Sequence, residues 1–289
     1  PYIESSDILE DENVERDRLL QYFGNVVAEF PLSEALARGI LTPYRYHINP
    51  VRLSEFEMDE YIRFTSIIGV QMNIDSSRDN TSLASAIRER NQIVSSASAK
   101  RVVLESLLQS REFPDKSHTL FYVGEGKALE EDNDREVQQL DVLSKVVTEA
   151  GWKISKFTST ENASDRRAIM KDFTDGFIDG LVAMRVLDEG IDIPACRRAF
   201  ILASSRNERQ FIQRRGRILR RSDGKDIAEI FDFIVLPPKD TAPTDAGKKL
   251  VEKEFTRVMD FVRLAQNRDE LESTVVELTA DFGIDHRGL

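Results

Sequence analysis

Residues 209–221 read Arg-Gln-Phe-Ile-Gln-Arg-Arg-Gly-Arg-Ile-Leu-Arg-Arg, six arginines in thirteen residues. On a helix of about 3.6 residues per turn, Gln213, Arg217 and Arg220 fall at i, i+4 and i+7 on one face, while Phe211, Ile212, Ile218 and Leu219 form an apolar stripe that would anchor it. A guanidinium is a planar, permanently charged donor that grips phosphate oxygens in pairs, so a docked helix with this row suits polyphosphate. The competing reading of the same residues is a solvated, arginine-rich surface. Gly216 in mid-helix costs about 1 kcal/mol relative to alanine, which predicts a neighbouring loop pressed against its backbone.

About twenty residues upstream, residues 180–184 form an apolar run of strand type, and Asp188-Glu-Gly-Ile-Asp192 with Pro194 is turn chemistry behind it. A glycine-containing loop at the carboxyl end of a strand is where open α/β sheets hold ligands. In this order the two segments resemble motifs V and VI of the superfamily 2 ATP-dependent helicases and translocases. The likeness is to the repair-helicase and restriction-type, DEAD/DEAH-like branch, whose sixth motif is Gln-Arg-x-Gly-Arg-x-x-Arg. Gln213, Arg214, Gly216, Arg217 and Arg220 fill that pattern without a gap. The run 119–123, ending at Gly124 and Gly126, looks like motif IV, and the segment 32–53 resembles the connection from a first helicase lobe into the second.

The elements that must position these residues alternate. After the strand at 119–123, Val137, Leu140, Val147 and Ala150 recur at near-helical spacing up to a stop at Gly151, and a strand at 153–158 follows. Residues 163–174 read as a helix with Ile169, Met170 and Phe173 inward, and Arg166 leads into it as in the family. Strands at 181–184 and 199–203 come next. Asn207 with Gln210 marks the start of the arginine helix, and a strand at 227–236 closes the series before Pro237-Pro238. This alternation implies an α/β fold with a parallel sheet covered on both faces. The resemblance makes it a RecA-like doubly wound sheet, the C-terminal lobe of a helicase, with helical segments added before and after.

The resemblance also implies a composite site. No Gly-x-x-x-x-Gly-Lys-Ser/Thr loop is present, and Asp188-Glu189 belongs to motif V rather than to a metal-binding pair. ATP and Mg2+ would therefore be held mainly by an N-terminal RecA-like lobe of the same polypeptide. A chain beginning at Pro1 leads to the expectation that this lobe precedes it and that the present fragment alone is inactive. Arg220 would be the arginine finger, Arg217 its partner, and Gln213 a residue that orients water or couples the lobes. Gly190, Asp192 and Arg214 complete the nucleotide-facing set, Asp192 reading otherwise as a turn cap. Gly124, Thr158, Ser159, Thr160 and Arg185 would track a nucleic-acid backbone on the other edge of the same strand ends, with DNA favoured over RNA. Met184 stands where many members have a threonine, which leaves Arg185 as the motif V contact; ordinary turn capping is the rival reading of residues 158–160. A non-catalytic, helicase-like binding or scaffold module is the alternative function.

Composition narrows the partners. A net charge of -11 argues against a protein that coats nucleic acid electrostatically and leaves only a local basic channel. Residues 206–221 carry seven arginines and one acid, whereas 125–141 carry seven acids and read as a solvated loop and helix face. The single cysteine, Cys196, reads as a buried small hydrophobe in a cytoplasmic protein, and His47, His118 and His286 are too scattered for a metal site. No apolar run is long enough for a membrane span.

The flanks read as helical. Strands at 26–30 and 44–51 would enclose a short helix at 33–38 closed by Gly39, and Ser54-Glu-Phe-Glu57 is a capping box opening a longer helix. Residues 73–82 read as a polar loop. Two helices follow Pro243, the second ending at Gly283. The organisation expected is an inter-lobe connection and helical segment at 1–110, the RecA-like lobe at 111–240, and a helical extension packed on it at 241–289.

Overall fold

The strand runs are rich in aromatic and β-branched residues and apolar on both sides, as strands of a parallel sheet must be. The computed structural model describes Tyr22, Gly24 and residues 30–72, 81–124, 126–130, 135–158, 160–184, 196–203, 216–239 and 243–285. The elements are α1 (Leu32–Ala37), β1 (Tyr44–Arg52), α2 (Glu55–Met72), α3 (Thr81–Ser95), α4 (Ala99–Ser110), β2 (Thr119–Tyr122), β3 (Lys127–Glu130), β4 (Arg135–Gln138), α5 (Gln139–Glu149), β5 (Ile154–Phe157), α6 (Ala163–Thr174), β6 (Gly180–Ala183), β7 (Arg198–Ile201), β8 (Ala228–Leu236), α7 (Asp245–Val262) and α8 (Arg268–Ala280). Six strands form one sheet in the order β1-β8-β7-β2-β6-β5, and every neighbouring pair is parallel.

Residues alternate between the two faces along each strand, so each strand feeds two apolar layers. Leu120 and Tyr122, Leu181 and Ala183, Ala199 and Ile201, Ile230 and Ile234 pack with Phe173 of α6, with Ile218 and Leu219, and with Phe255 and Val258 of α7. On the other face Phe121, Val182, Phe200, Phe231 and Phe233 meet Met58 of α2, Leu104 of α4, Leu143 and Val147 of α5, and Trp152. This second layer holds an aromatic stack at one level of the sheet. His47, Phe231, Phe200 and Phe121, on four adjacent strands and in register, stack with centroid separations of 4.4, 4.8 and 4.7 Å. Phe113 and Trp152 close it edge-on.

The first layer is not wholly apolar. Asp232, with no solvent exposure, accepts a 2.6 Å hydrogen bond from the Tyr46 hydroxyl and pairs with Arg257, which also meets Glu254 at 3.1 Å. The guanidinium is flanked by two carboxylates and a phenol, the Oδ1 of Asp232 alone being left without a hydrogen-bond partner among the described residues, and removing one member would strand a charge.

Local signals explain several boundaries. Ser54 and Glu57 form the expected capping box, each side chain accepting the other's backbone N–H at 3.2 and 2.8 Å. Asn162 caps α6 by accepting from the amides of Ser164 and Asp165. Gly151, at φ +79°, ends α5, a conformation that favours glycine. Three expectations are corrected. Val137 belongs to β4, not to the following helix, because β3 and β4 form a separate antiparallel ribbon in what read as solvated loop. Thr81 and Ser82 open α3 instead of ending a loop. The arginine helix does not reach Arg220: its described end is 216–218, and Arg220 forms an isolated antiparallel bridge with Leu41. The expected strand at 26–30 except Phe30, which is in no strand, most of the polar loop at 73–82, the motif V turn and the helix start at Asn207 lie outside the described residues.

At the amino-terminal strand ends, Glu229 sits between His47 at 3.6 Å, Arg198 at 3.1 Å and Arg111 at 2.8 Å. The nearby imidazole and the two guanidiniums hold its carboxyl down at about 2. A folded-state value depressed below the ordinary 4.5 contributes stability that is complete above that value and is lost as pH falls through about 2. Denaturant midpoints of the wild type should therefore fall as pH drops through this window. Glu229→Gln should be less stable near neutral pH and should lose that part of the acid slope; an unchanged slope in the variant would remove Glu229 as its source.

Candidate functional site

A parallel strand pair needs a crossover that carries the chain from the carboxyl end of one strand back to the amino end of the next. The arginine segment lies on the crossover from β7 to β8, so its last residues surface at the amino-terminal ends of the strands. The amide of Thr42, two residues before β1, donates to the Leu219 carbonyl at 2.8 Å, and the Leu41–Arg220 bridge lies beside it. Ile218 and Leu219 are fully buried, while Arg217 is half-buried and Arg220 exposed. The apolar pair pins the backbone and the two arginines flank it, Arg217 on the helix and Arg220 beyond its end.

The carbonyls at this turn are held from a second side. Lys225, only 6% exposed, donates to the carbonyls of Ile218 and, at 2.9 Å, of Arg220. Burial pushes its ammonium down to about 8. Thr42, with no exposure, donates its hydroxyl to the Arg220 carbonyl at 3.4 Å. Cys196 is buried below them, its thiol pushed up to about 12 by burial even though Lys225, Arg217 and Arg220 act against that shift. Sequence reasoning passed over Thr42 and Lys225. A threonine before proline and a lysine in Ser-Asp-Gly-Lys-Asp both read as surface turn, and nothing local marks either for burial. Gly216 also differs from expectation: a Cβ there would meet nothing within 4 Å among the described residues.

The nucleic-acid candidates lie at the opposite end of the sheet. Gly124 follows β2 and is buried; a Cβ on it would lie 2.9 Å from the Cβ of Ser95 and 3.1 Å from the Ser95 carbonyl. Close packing against the end of α3 therefore requires glycine here. Thr158 follows β5, and its hydroxyl donates at 3.0 Å to Glu161, whose carboxylate also accepts the Thr158 amide at 2.6 Å. The Thr160 amide donates to the Thr158 hydroxyl at 3.2 Å, and Arg166 donates to the Thr158 carbonyl at 3.0 Å. This is turn capping, with a carboxylate at its centre. Thr160 is exposed. Met184 packs against the apolar layer of Phe121 and Phe200. The described residues thus bring Arg217 and Arg220 together, and Gly124, Thr158 and Thr160 to the other end, rather than all of them to the same strand ends. Ser159, Arg185, Gly190, Asp192, Gln213 and Arg214 lie outside the described residues.

Residues 99–222, from the start of α4 to just past the arginine turn, match the family described as the helicase conserved C-terminal domain. This stretch is similar to a helicase C-terminal domain, and it carries β2, β5, β6 and β7 of the parallel sheet. Over 82 residues the chain is 37% identical to the DNA 3'-5' translocase XPB2 of Sulfurisphaera tokodaii, an alignment that covers 26% of this chain and 19% of that protein. Over 133 residues it is 30% identical to Dicer-like protein 2 of Pyricularia oryzae, 44% of this chain and 9% of that one. Over 156 residues it is 26% identical to UvrABC system protein B of Enterococcus faecalis, 48% and 23%. The chain thus spans less than a quarter of the length of these relatives. Among solved structures, the C-terminal part of the Fun30 ATPase domain superposes with a TM-score of 0.47 at 14% identity, covering 76% of this chain and 98% of that one. No helix among the described residues is long and apolar enough to cross a membrane.

The contact at Gly124 has a direct test. Gly124→Ala forces the β2 loop away from the end of α3, and the denaturation midpoint should fall by an amount equivalent to about 1–3 kcal/mol, the usual cost of overpacking. A variant as stable as the wild type would show that Ser95 yields freely.

Proposed function

We propose that this helicase lobe works in an ATP-dependent DNA helicase or translocase. It would close over ATP and Mg2+ held by a preceding RecA-like lobe and direct Arg217 and Arg220 at the γ-phosphate. The observation that carries this reading is the coincidence of sequence and burial at the arginine turn. The Gln-Arg-x-Gly-Arg-x-x-Arg pattern falls within the matched domain, and its apolar pair, Ile218 and Leu219, is fully buried between a half-buried and an exposed arginine. A guanidinium on a backbone fixed in this way stabilises charge that develops on phosphoryl oxygens without reorganising at the moment of reaction. Gln213, Arg214, Gly190 and Asp192 would complete the nucleotide-facing set. Mg2+ would neutralise the β- and γ-phosphates from the other lobe.

Nucleic acid would run along the carboxyl ends of the strands, near Gly124, Ser159, Thr160 and Arg185. The hydroxyl and amide of Thr158 are engaged by Glu161 and the amide of Thr160 by Thr158, so Arg185 is the better candidate for phosphate contact. DNA is favoured because XPB2, among the relatives, is a DNA translocase.

In the full-length protein, Arg220→Ala should lower nucleic-acid-stimulated ATP turnover by about 10³-fold or more, the scale of arginine fingers elsewhere, while ATP binding persists. Steady-state turnover together with binding of a fluorescent ATP analogue decides this. A normal maximal rate with weakened binding would assign Arg220 to ground-state binding instead.

A further inference from the structure

The arginine turn is tied to a segment far from it in sequence by a continuous set of bonds. In α1, the Ala35 carbonyl accepts the amides of Ile40 at 2.9 Å and Leu41 at 3.2 Å. Leu41 forms the bridge to Arg220, and Thr42 donates to Leu219 through its amide and to Arg220 through its hydroxyl. From the other side the ammonium of Lys225 holds the carbonyls of Ile218 and Arg220. A Cβ on Gly39, which ends α1 at φ +66°, would lie 3.6 Å from Nη1 of Arg221, so α1 abuts the turn through a second arginine as well. The carbonyls at the end of a helix otherwise lack partners. Here two buried donors on different elements take them.

We infer that Lys225 and Thr42 are positioning residues for Arg220: they clamp the carbonyls of the arginine turn between the turn before β8 and the α1–β1 connection, and so fix where its guanidinium points. Neither side chain needs to touch nucleotide. A lysine is the fitting donor because its compact ammonium has three donors and can serve two converging carbonyls at once. Burying that charge is tolerable because those carbonyls replace its water. The clamp also makes α1 and the arginine turn one mechanical piece. A displacement of the chain entering β1 would be passed to Arg220 through Leu41 and Thr42 rather than absorbed in a loose loop.

This inference rests on the proposed role of Arg220, and the test separates the two. In the full-length protein, Arg220→Ala, Lys225→Met and Lys225→Arg are compared for maximal nucleic-acid-stimulated ATP turnover, for KM for ATP, and for backbone hydrogen exchange across residues 216–222. Lys225→Met should lower kcat by about 10- to 100-fold, the scale of loss when a catalytic group is misplaced by an ångström. KM should stay within about twofold. Exchange at the turn should quicken, and Lys225→Arg should restore most of the rate. Wild-type kcat in Lys225→Met, with Arg220→Ala inactive, would overturn the positioning role while leaving the proposed function standing. Full turnover by Arg220→Ala would instead overturn the proposed function and the clamp's purpose with it. Should Lys225→Met not fold, Thr42→Val carries the same test, since it keeps the packing and the amide but removes the hydroxyl: a lower kcat at constant KM supports the clamp, and a wild-type kcat overturns it.

Discussion

Four aromatic rings stacked across β1, β8, β7 and β2 set the geometry of everything else in this lobe. In a parallel sheet the backbone bonds are evenly spaced, so by themselves they discriminate poorly between registers two residues apart. His47, Phe231, Phe200 and Phe121 stand opposite one another in register and stack face to face, and a slip of β7 by two residues would put Arg198 or Leu202 against Phe121 and Phe231 and break the stack on both sides. Offset-stacked aromatic pairs contribute about 0.5–1.5 kcal/mol each beyond the area they bury. Across three contacts that is enough to select one register. Once it is selected, the level at which every strand begins and ends is settled, and with it the position of each loop.

Those ends divide the lobe chemically. Both faces of the sheet are covered by apolar layers, so charged connecting segments are driven to its two rims. The crossover between β7 and β8 delivers the arginines to the amino-terminal rim. The loops after β2 and β5 lie at the carboxyl rim, where a glycine packed on Ser95 and a threonine capped by Glu161 shape the backbone. Under the proposed function, nucleotide and nucleic acid would address different rims of one rigid layer. Coupling between them must then pass through strands that do not bend, rather than through a shared loop.

Much of this was legible from sequence because local rules and tertiary needs agreed. Helix α6 was recovered to the residue: Asn162 is a strong cap and the inward positions are helically spaced. The strands emerged within a residue or two, since apolar runs buried on both faces have no alternative. What escaped depended on partners distant in sequence. The helix expected to carry Arg220 stops short because Thr42, 178 residues away, engages its last carbonyls. Lys225 looked solvated for the same reason. The β3–β4 ribbon was hidden by its acidic composition, which resembles a loop until the register pairs Glu130 with Arg135. The packing expected at Gly216 was inferred from propensity alone, which says nothing about neighbours.

The bridge between Leu41 and Arg220 joins two ends of the lobe's chain, and β1 joins the sheet only by pairing with β8, the last strand. Contacts of such long range carry a large loop-closure cost and form late in folding. Every other strand can be in place while the Leu41 and Thr42 side of the arginine turn is still open. A lobe caught part-way, on the ribosome or after thermal opening of the β1–β8 edge, would keep its sheet and its basic segment yet hold Arg220 from the Lys225 side alone. The full seating of the arginine turn would thus be the last property the fold acquires and the first it loses.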